Sequence, residues 1–184
     1  MKIFGIDPGS LRTGYGCVET DGTRHRIVSC GAIRTPALGS FADRLLAVHA
    51  SLSAVIADLK PDCVAIESLF HAANVRSALK LGHARGVAVL AAAQAGVPVV
   101  EYTPAEIKRA VVGYGRAEKP QVQQMVKLLL GLSEVPAPHD AADALAVAIC
   151  HVHSRPPSRV ARSLAPPRPA SRAATNWRSY RPVR

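Results

Sequence analysis

The sequence predicts an α/β fold built on one mixed sheet, an antiparallel meander continued by parallel strands, with helices on both faces. Three observations predict it. Apolar strand patterns come first at residues 2–7, about 14–20 and about 26–34, and Asp21-Gly22 between the second and third is a strong hairpin signal. Helical and strand patterns then alternate, giving the order βββαβαβαα, which calls for crossovers onto a parallel sheet. No unbroken apolar run is longer than Val87 to Ala93, far short of the roughly 20 residues of a membrane span.

Taken in order, Ile3-Phe4-Gly5-Ile6 makes the first strand and delivers Asp7 into a Pro-Gly turn. After the hairpin, Ser40-Phe-Ala-Asp43 starts a helix, with Ser40 as N-cap and an acid in the first turn. Phe41, Leu45, Val48, Leu52, Val55, Ile56 and Leu59 then follow helical spacing until Pro61 ends it. Asp62-Cys-Val-Ala-Ile-Glu67 is a short buried strand, and a long helix spans about Asn74 to Ala95. Ala78, Gly82 and Gly86 lie four apart on one stripe of that helix, where close approach of another helix would offset the cost of the glycines, about 1 kcal/mol each. Val97 to Tyr102 is a fifth strand, and Thr103-Pro-Ala-Glu106 is a capping box with Pro at the first helical position. Helix covers about 119–131, and Pro138-His-Asp-Ala-Ala-Asp143 opens an Ala-rich helix running to His153.

Charge divides the 184-residue chain into two parts. The formal net charge is +10, and residues 154–184 carry eight Arg, six Pro, no Lys and no acid. Residues 1–153 are expected to be one folded domain, and 154–184 a disordered arm without the apolar residues for a core. An Arg-rich arm beside a nearly neutral body suggests a polyanion, most often nucleic acid; a solubility tail is the plain alternative. The four cysteines, Cys17, Cys30, Cys63 and Cys150, fit no zinc spacing and read as reduced core thiols, although Cys150-His-Val-His153 is a passing temptation. The N-terminus lacks the segments of a signal peptide, with Asp7 where its apolar region would lie, so a cytoplasmic protein with no membrane association is expected.

The acids carry the chemistry. Asp7 and Glu67 each end a strand after four apolar residues, so both would emerge at one sheet edge if those strands are parallel neighbours. In such sheets ligands gather at the carboxyl ends of the parallel strands. Asp140 and Asp143 are three apart at a helix start and share a face. Four converging carboxylates without a cation would repel one another and be pushed toward protonation. Mg²⁺ or Mn²⁺, hard cations that take oxygen ligands, would resolve this, and two ions about 4 Å apart suit phosphodiester cleavage. Singly, each acid has a plainer reading: Asp7 as a turn former, Asp140 as an N-cap, Asp143 favouring the helix dipole.

Four motifs in order, GIDPGSLRTGYG, AIES followed by LFHAANVRSALKLGHARGV, EYTPAEIKRAVVGYGRAEKPQVQQMV and HDAADALAVAICHVH, closely resemble the RuvC family of bacterial Holliday-junction resolvases over residues 1 to about 153. The resemblance implies an RNase H-like fold, a homodimer, and Mg²⁺-dependent cutting of two opposed strands at a four-way DNA junction. By motif it makes Asp7, Glu67, Asp140 and Asp143 the catalytic, metal-binding carboxylates. It casts Phe70 as a wedge stacking on a base beside the crossover, an effect worth about 1–3 kcal/mol per base; a ring closing the loop over the core is the ordinary alternative. Lys108 and Lys119 would contact phosphate, Lys119 also steadying the leaving oxygen, and Arg76 would contact DNA. The family also works with the RuvA–RuvB branch-migration complex. The arm after His153 matches no motif.

A non-catalytic junction-binding protein, with the acids serving as caps, is the competing reading; it predicts binding indifferent to divalent ions. A nucleotide-using protein of the actin and sugar-kinase group is disfavoured by the absence of a Walker motif and by the short chain.

Overall fold

The computed structural model describes residues 1–35, 39–68 and 75–154. Phe70 and the arm from residue 155 onward therefore lie outside the described residues. The elements run β1 (Lys2–Asp7), β2 (Arg12–Thr20), β3 (His25–Arg34), α1 (Phe41–Leu59), β4 (Cys63–Glu67), α2 (Val75–Gln94), β5 (Val99–Tyr102), α3 (Pro104–Val112), α4 (Lys119–Leu129) and α5 (His139–Ser154). Three helices rather than two follow β5, because the Thr103 capping box nucleates a helix of its own that Gly113 ends in the left-handed conformation. Residue 154, expected in the arm, is the last residue of α5.

One sheet in the order β3-β2-β1-β4-β5 organises the chain. β1 and β2 pair antiparallel, as do β2 and β3, whereas β1–β4 and β4–β5 are parallel. This is the mixed sheet expected, the RNase H-like arrangement. β2 starts two residues earlier than the apolar pattern suggested, because Arg12 and Thr13 still find partners in Arg34 and Ile33. β5 is shorter than expected, since the Val97 amide turns back to the Ala92 carbonyl at the end of α2.

Strand alternation sorts the core into two layers. Phe4 and Ile6 of β1, Cys17 of β2 and Val64 and Ile66 of β4 pack with Val48, Leu52 and Ile56 of α1 and Ala88, Ala91 and Ala92 of α2. Ile3, Val18, Cys63 and Ala65 face the other way, against α3, α4 and the Leu145–Cys150 stretch of α5. The expected Ser40 N-cap and Thr103–Glu106 capping box both form, and Asp43 reaches back to make Ser40 a capping box as well. Before Pro61, Lys60 takes the left-handed conformation (φ 47°) and closes α1 through the Ile56 carbonyl.

The α5 layer is the closer one. An added Cβ at Gly5 would come within 2.0 Å of the Ala144 carbonyl oxygen, and one at Gly14 within 2.0 Å of the Asp140 carbonyl oxygen. At Gly16 it would meet the Leu145 side chain at 2.6 Å. The backbone of α5 thus lies directly on β1 and β2, a separation only glycine permits. The cysteines are all free thiols, Cys17, Cys63 and Cys150 buried and Cys30 half-buried. Among the described residues no helix is long and apolar enough to cross a membrane.

Candidate active site

Three elements meet where β1 and β4 end. Their parallel register pairs Ile6 with Ile66, so the next residues, Asp7 and Glu67, stand side by side. Alternation puts both on the α5 face, in line with Ile3 and Gly5 on β1 and with Cys63 and Ala65 on β4. There α5, seated on Gly5 and Gly14, brings its N-terminal two turns over the strand ends, with Asp140 in the first and Asp143 in the second. The helix begins at His139, so Asp140 belongs to the first turn and is not an N-cap.

The electrostatics record the crowding. Asp7 is pushed up to about 7, first by burial and then by the charges of Glu67, Asp143 and Asp140, against the pull of Lys119. Glu67 is also raised, by burial and by Asp143; its hydrogen bond with Asp7 and the nearby Lys119 and Lys108 oppose the shift. The α5 acids are held by basic side chains. Lys119 Nζ donates to Asp143 at 2.8 Å, which raises the lysine's own pKa. Arg12 Nη1 donates to Asp140 at 3.5 Å. Among the described residues no three His, Cys, Asp or Glu side chains close on one point as a finished metal cage. The donors nevertheless fit a hard divalent cation: all are carboxylate oxygens, and the raised proton affinity of Asp7 and Glu67 shows the positive charge that pair lacks.

Of the other residues singled out, Lys108 and Lys119 line the same cleft as Glu67 and Asp143. Arg76 is exposed in the first turn of α2, a helix packed on the opposite sheet face, and has no ion pair with the acids. Two features escaped the sequence reading. Arg12 approaches Asp140 across 128 positions of chain, which no local pattern signals. Gly14 and Gly16, two apart on β2, and Gly5, which pairs with Gly16 from β1, mark a close approach, and the alternating glycines of β2 are its sequence signal.

A family model described as "Crossover junction endodeoxyribonuclease RuvC" matches residues 3–151. The chain belongs to the RuvC family. A RuvC from Trichlorobacter lovleyi is 52% identical over 182 residues, covering 99% of this chain and 100% of its own. One from Syntrophotalea carbinolica is 60% identical over 153 residues, covering 83% and 94%. Among solved structures, Thermus thermophilus RuvC aligns with a TM-score of 0.77 at 36% identity, over 83% of this chain and 94% of that one. The same RuvC in complex with Holliday junction substrate aligns at 0.76 and 34%, with the same coverage. The yeast mitochondrial Holliday junction resolvase Ydc2, at 14% identity and a TM-score of 0.59, shares the fold.

Proposed function

We propose that this RuvC-family protein is a metal-dependent DNA endonuclease that resolves four-way junctions in recombination and repair, cutting two opposed strands symmetrically, with Asp7, Glu67, Asp140 and Asp143 as its catalytic carboxylates. One observation carries the assignment: Asp7 and Glu67 lie side by side at parallel strand ends, beneath an α5 whose first two turns bear the other two acids. The four would hold two divalent ions per subunit, Mg²⁺ with Mn²⁺ as a substitute. When bound, such ions neutralise the phosphodiester, activate water and stabilise the leaving oxygen.

The chain's own groups do the rest. Lys119, paired with Asp143 here, would supply its ammonium to the scissile phosphate or leaving oxygen. Lys108, from α3, contacts a neighbouring phosphate from the β4 side of the cleft. Phe70 is proposed as the wedge against a crossover base, and Arg76 as a contact to the DNA beyond it. The Arg-rich arm adds sequence-independent phosphate contact.

Two symmetric cuts need two centres in fixed relation, so we assign a homodimer. The α2 stripe supports it: a Cβ at Gly82 or Gly86 meets nothing within 4 Å, and Val75, Leu79 and Leu90 on the same helix are exposed. No other helix of the described chain fills that surface, as the intramolecular alternative required. The enzyme would act in the cytoplasm with the RuvA–RuvB branch-migration complex.

The test is a synthetic four-way junction with Mg²⁺ or with chelator. The expected result is paired nicks with Mg²⁺ only, and an Asp7→Asn variant that binds the junction and does not cut. Cutting by that variant at the parent rate, or binding alone by the parent protein, overturns the assignment.

A further inference from the structure

The hairpin that carries Arg12 places a second arginine against it. Arg12 and Arg34 are direct cross-strand partners in the antiparallel pairing of β2 with β3. Directly opposed residues project from the same face, here the face on which Gly14 meets α5. Like charges in that position are destabilising. Arg12 is relieved by Asp140, but Arg34 is exposed and, among the described residues, has no acidic partner. At the other end of the same hairpin the basic side chains are matched, Arg26 by Glu19 and Arg24 by the nearby Asp21. The pair with an unmatched member, Arg34, is at the end beside the acidic centre.

The platform beneath the two arginines is braced. The Thr13 hydroxyl, fully buried, donates to the Gly9 carbonyl at 2.9 Å. The Thr35 amide and hydroxyl both donate to the Leu11 carbonyl, each at 3.2 Å. Lys108 and Lys119 approach the centre from α3 and α4, next to Glu67 and Asp143; Arg12 stands on the β2–β3 side next to Asp140, with Arg34 as its cross-strand neighbour. A nucleic-acid strand crossing the acids would therefore meet cations on both sides.

We propose that Arg12 and Arg34 together clamp a backbone phosphate of the bound DNA strand on the hairpin side of the cut. Two guanidinium forks converging on one face suit the several acceptor oxygens of a phosphate. Arg12 has a second task in the DNA-free protein, where it neutralises Asp140; its fork would turn to the phosphate when the strand binds. The clamp rests on the nuclease reading above.

The experiment measures anisotropy of a labelled four-way junction with full-length protein and Mg²⁺, in the non-cutting Asp7→Asn background. Arg34→Ala and Arg12→Ala should each weaken binding roughly tenfold, the size of one charge-assisted contact. Each should also flatten the slope of log affinity against log salt by about one unit, as a lost phosphate contact does. Arg34→Lys should recover part of the affinity. Arg24→Ala, the same charge change at the far end of the hairpin, should leave both quantities at the parent value. The DNA-free Arg34→Ala protein should melt no lower than its parent, since a like-charge pair is gone. Parent-like affinity and slope in both arginine variants would overturn the clamp, and so would losses no larger than those of Arg24→Ala. The nuclease reading stands or falls separately, on whether the protein with Asp7 restored cuts the junction.

Discussion

The two faces of the sheet are held by different means. On the α1/α2 face, Phe4, Ile6, Val64 and Ile66 interdigitate with Val48, Leu52 and Ile56, side chain against side chain. On the α5 face, backbone rests on backbone at Gly5 and Gly14. Side-chain packing is strong but tolerant, because neighbours can repack around a change. Backbone contact has no such slack, and Asp140 and Asp143, proposed as catalytic, ride on the helix it positions. The lesson is that side-chain packing supplies stability on both faces, whereas the glycine contacts peculiar to the α5 face set where the carboxylates stand.

The largest expected effect breaks the two faces apart. Gly5→Ala should shift α5 and reduce junction cleavage per folded molecule by roughly 100-fold, the scale of an ångström-sized misplacement of catalytic groups. Leu52→Ala should cost about 2–5 kcal/mol in urea unfolding while leaving cleavage near normal wherever the protein is folded. If both variants lose activity only in proportion to unfolding, the distinction between the faces is wrong.

Next in size is a pH effect confined to the acidic face. Folded, Asp7 keeps its proton up to about pH 7, whereas the unfolded chain releases it near 3.8. Between those values the folded state binds more protons, so stability falls as pH rises through the window. For metal-free protein the full cost, on the order of 4 kcal/mol, is reached above pH 7. Asp7→Asn should therefore melt higher than its parent in chelator at pH 8, with the gap closing toward pH 4. Mg²⁺ should stabilise the parent more than the variant, as a ligand of the folded state does. Equal melting curves at every pH would mean that the cluster is not charge-crowded.

Smaller effects compare a glycine on the other face. Gly82 has open space where a Cβ would go, so Gly82→Ala should stabilise α2 by about 1 kcal/mol in the isolated subunit, the reverse of Gly5→Ala. Sedimentation of the same variant would sharpen the dimer assignment: a weakened association places the seam on this stripe. The smallest is local to a cap, where Thr103→Ala should cost about 1 kcal/mol or less, with loss of helix at α3 and little change in the α1 layer.

Local chemistry made much of this molecule readable from the chain itself. Ser40 and Thr103 announce their helices because the capping partners, Asp43 and Glu106, lie three residues away. Asp21-Gly22 announces its hairpin, and the two apolar runs ending in Asp7 and Glu67 mark the strands whose ends carry acids. The motifs reach further, since they identify the family without any geometry. Only the tertiary structure decided that β1 and β4 are parallel neighbours in a register that sets Asp7 beside Glu67. It alone seated α5 on Gly5 and Gly14, joined Arg12 to Asp140, and set Arg34 opposite Arg12. Those relations join residues tens of positions or more apart, where no local preference acts. They exist because the sheet closes in one register and one helix can approach it only where side chains are missing.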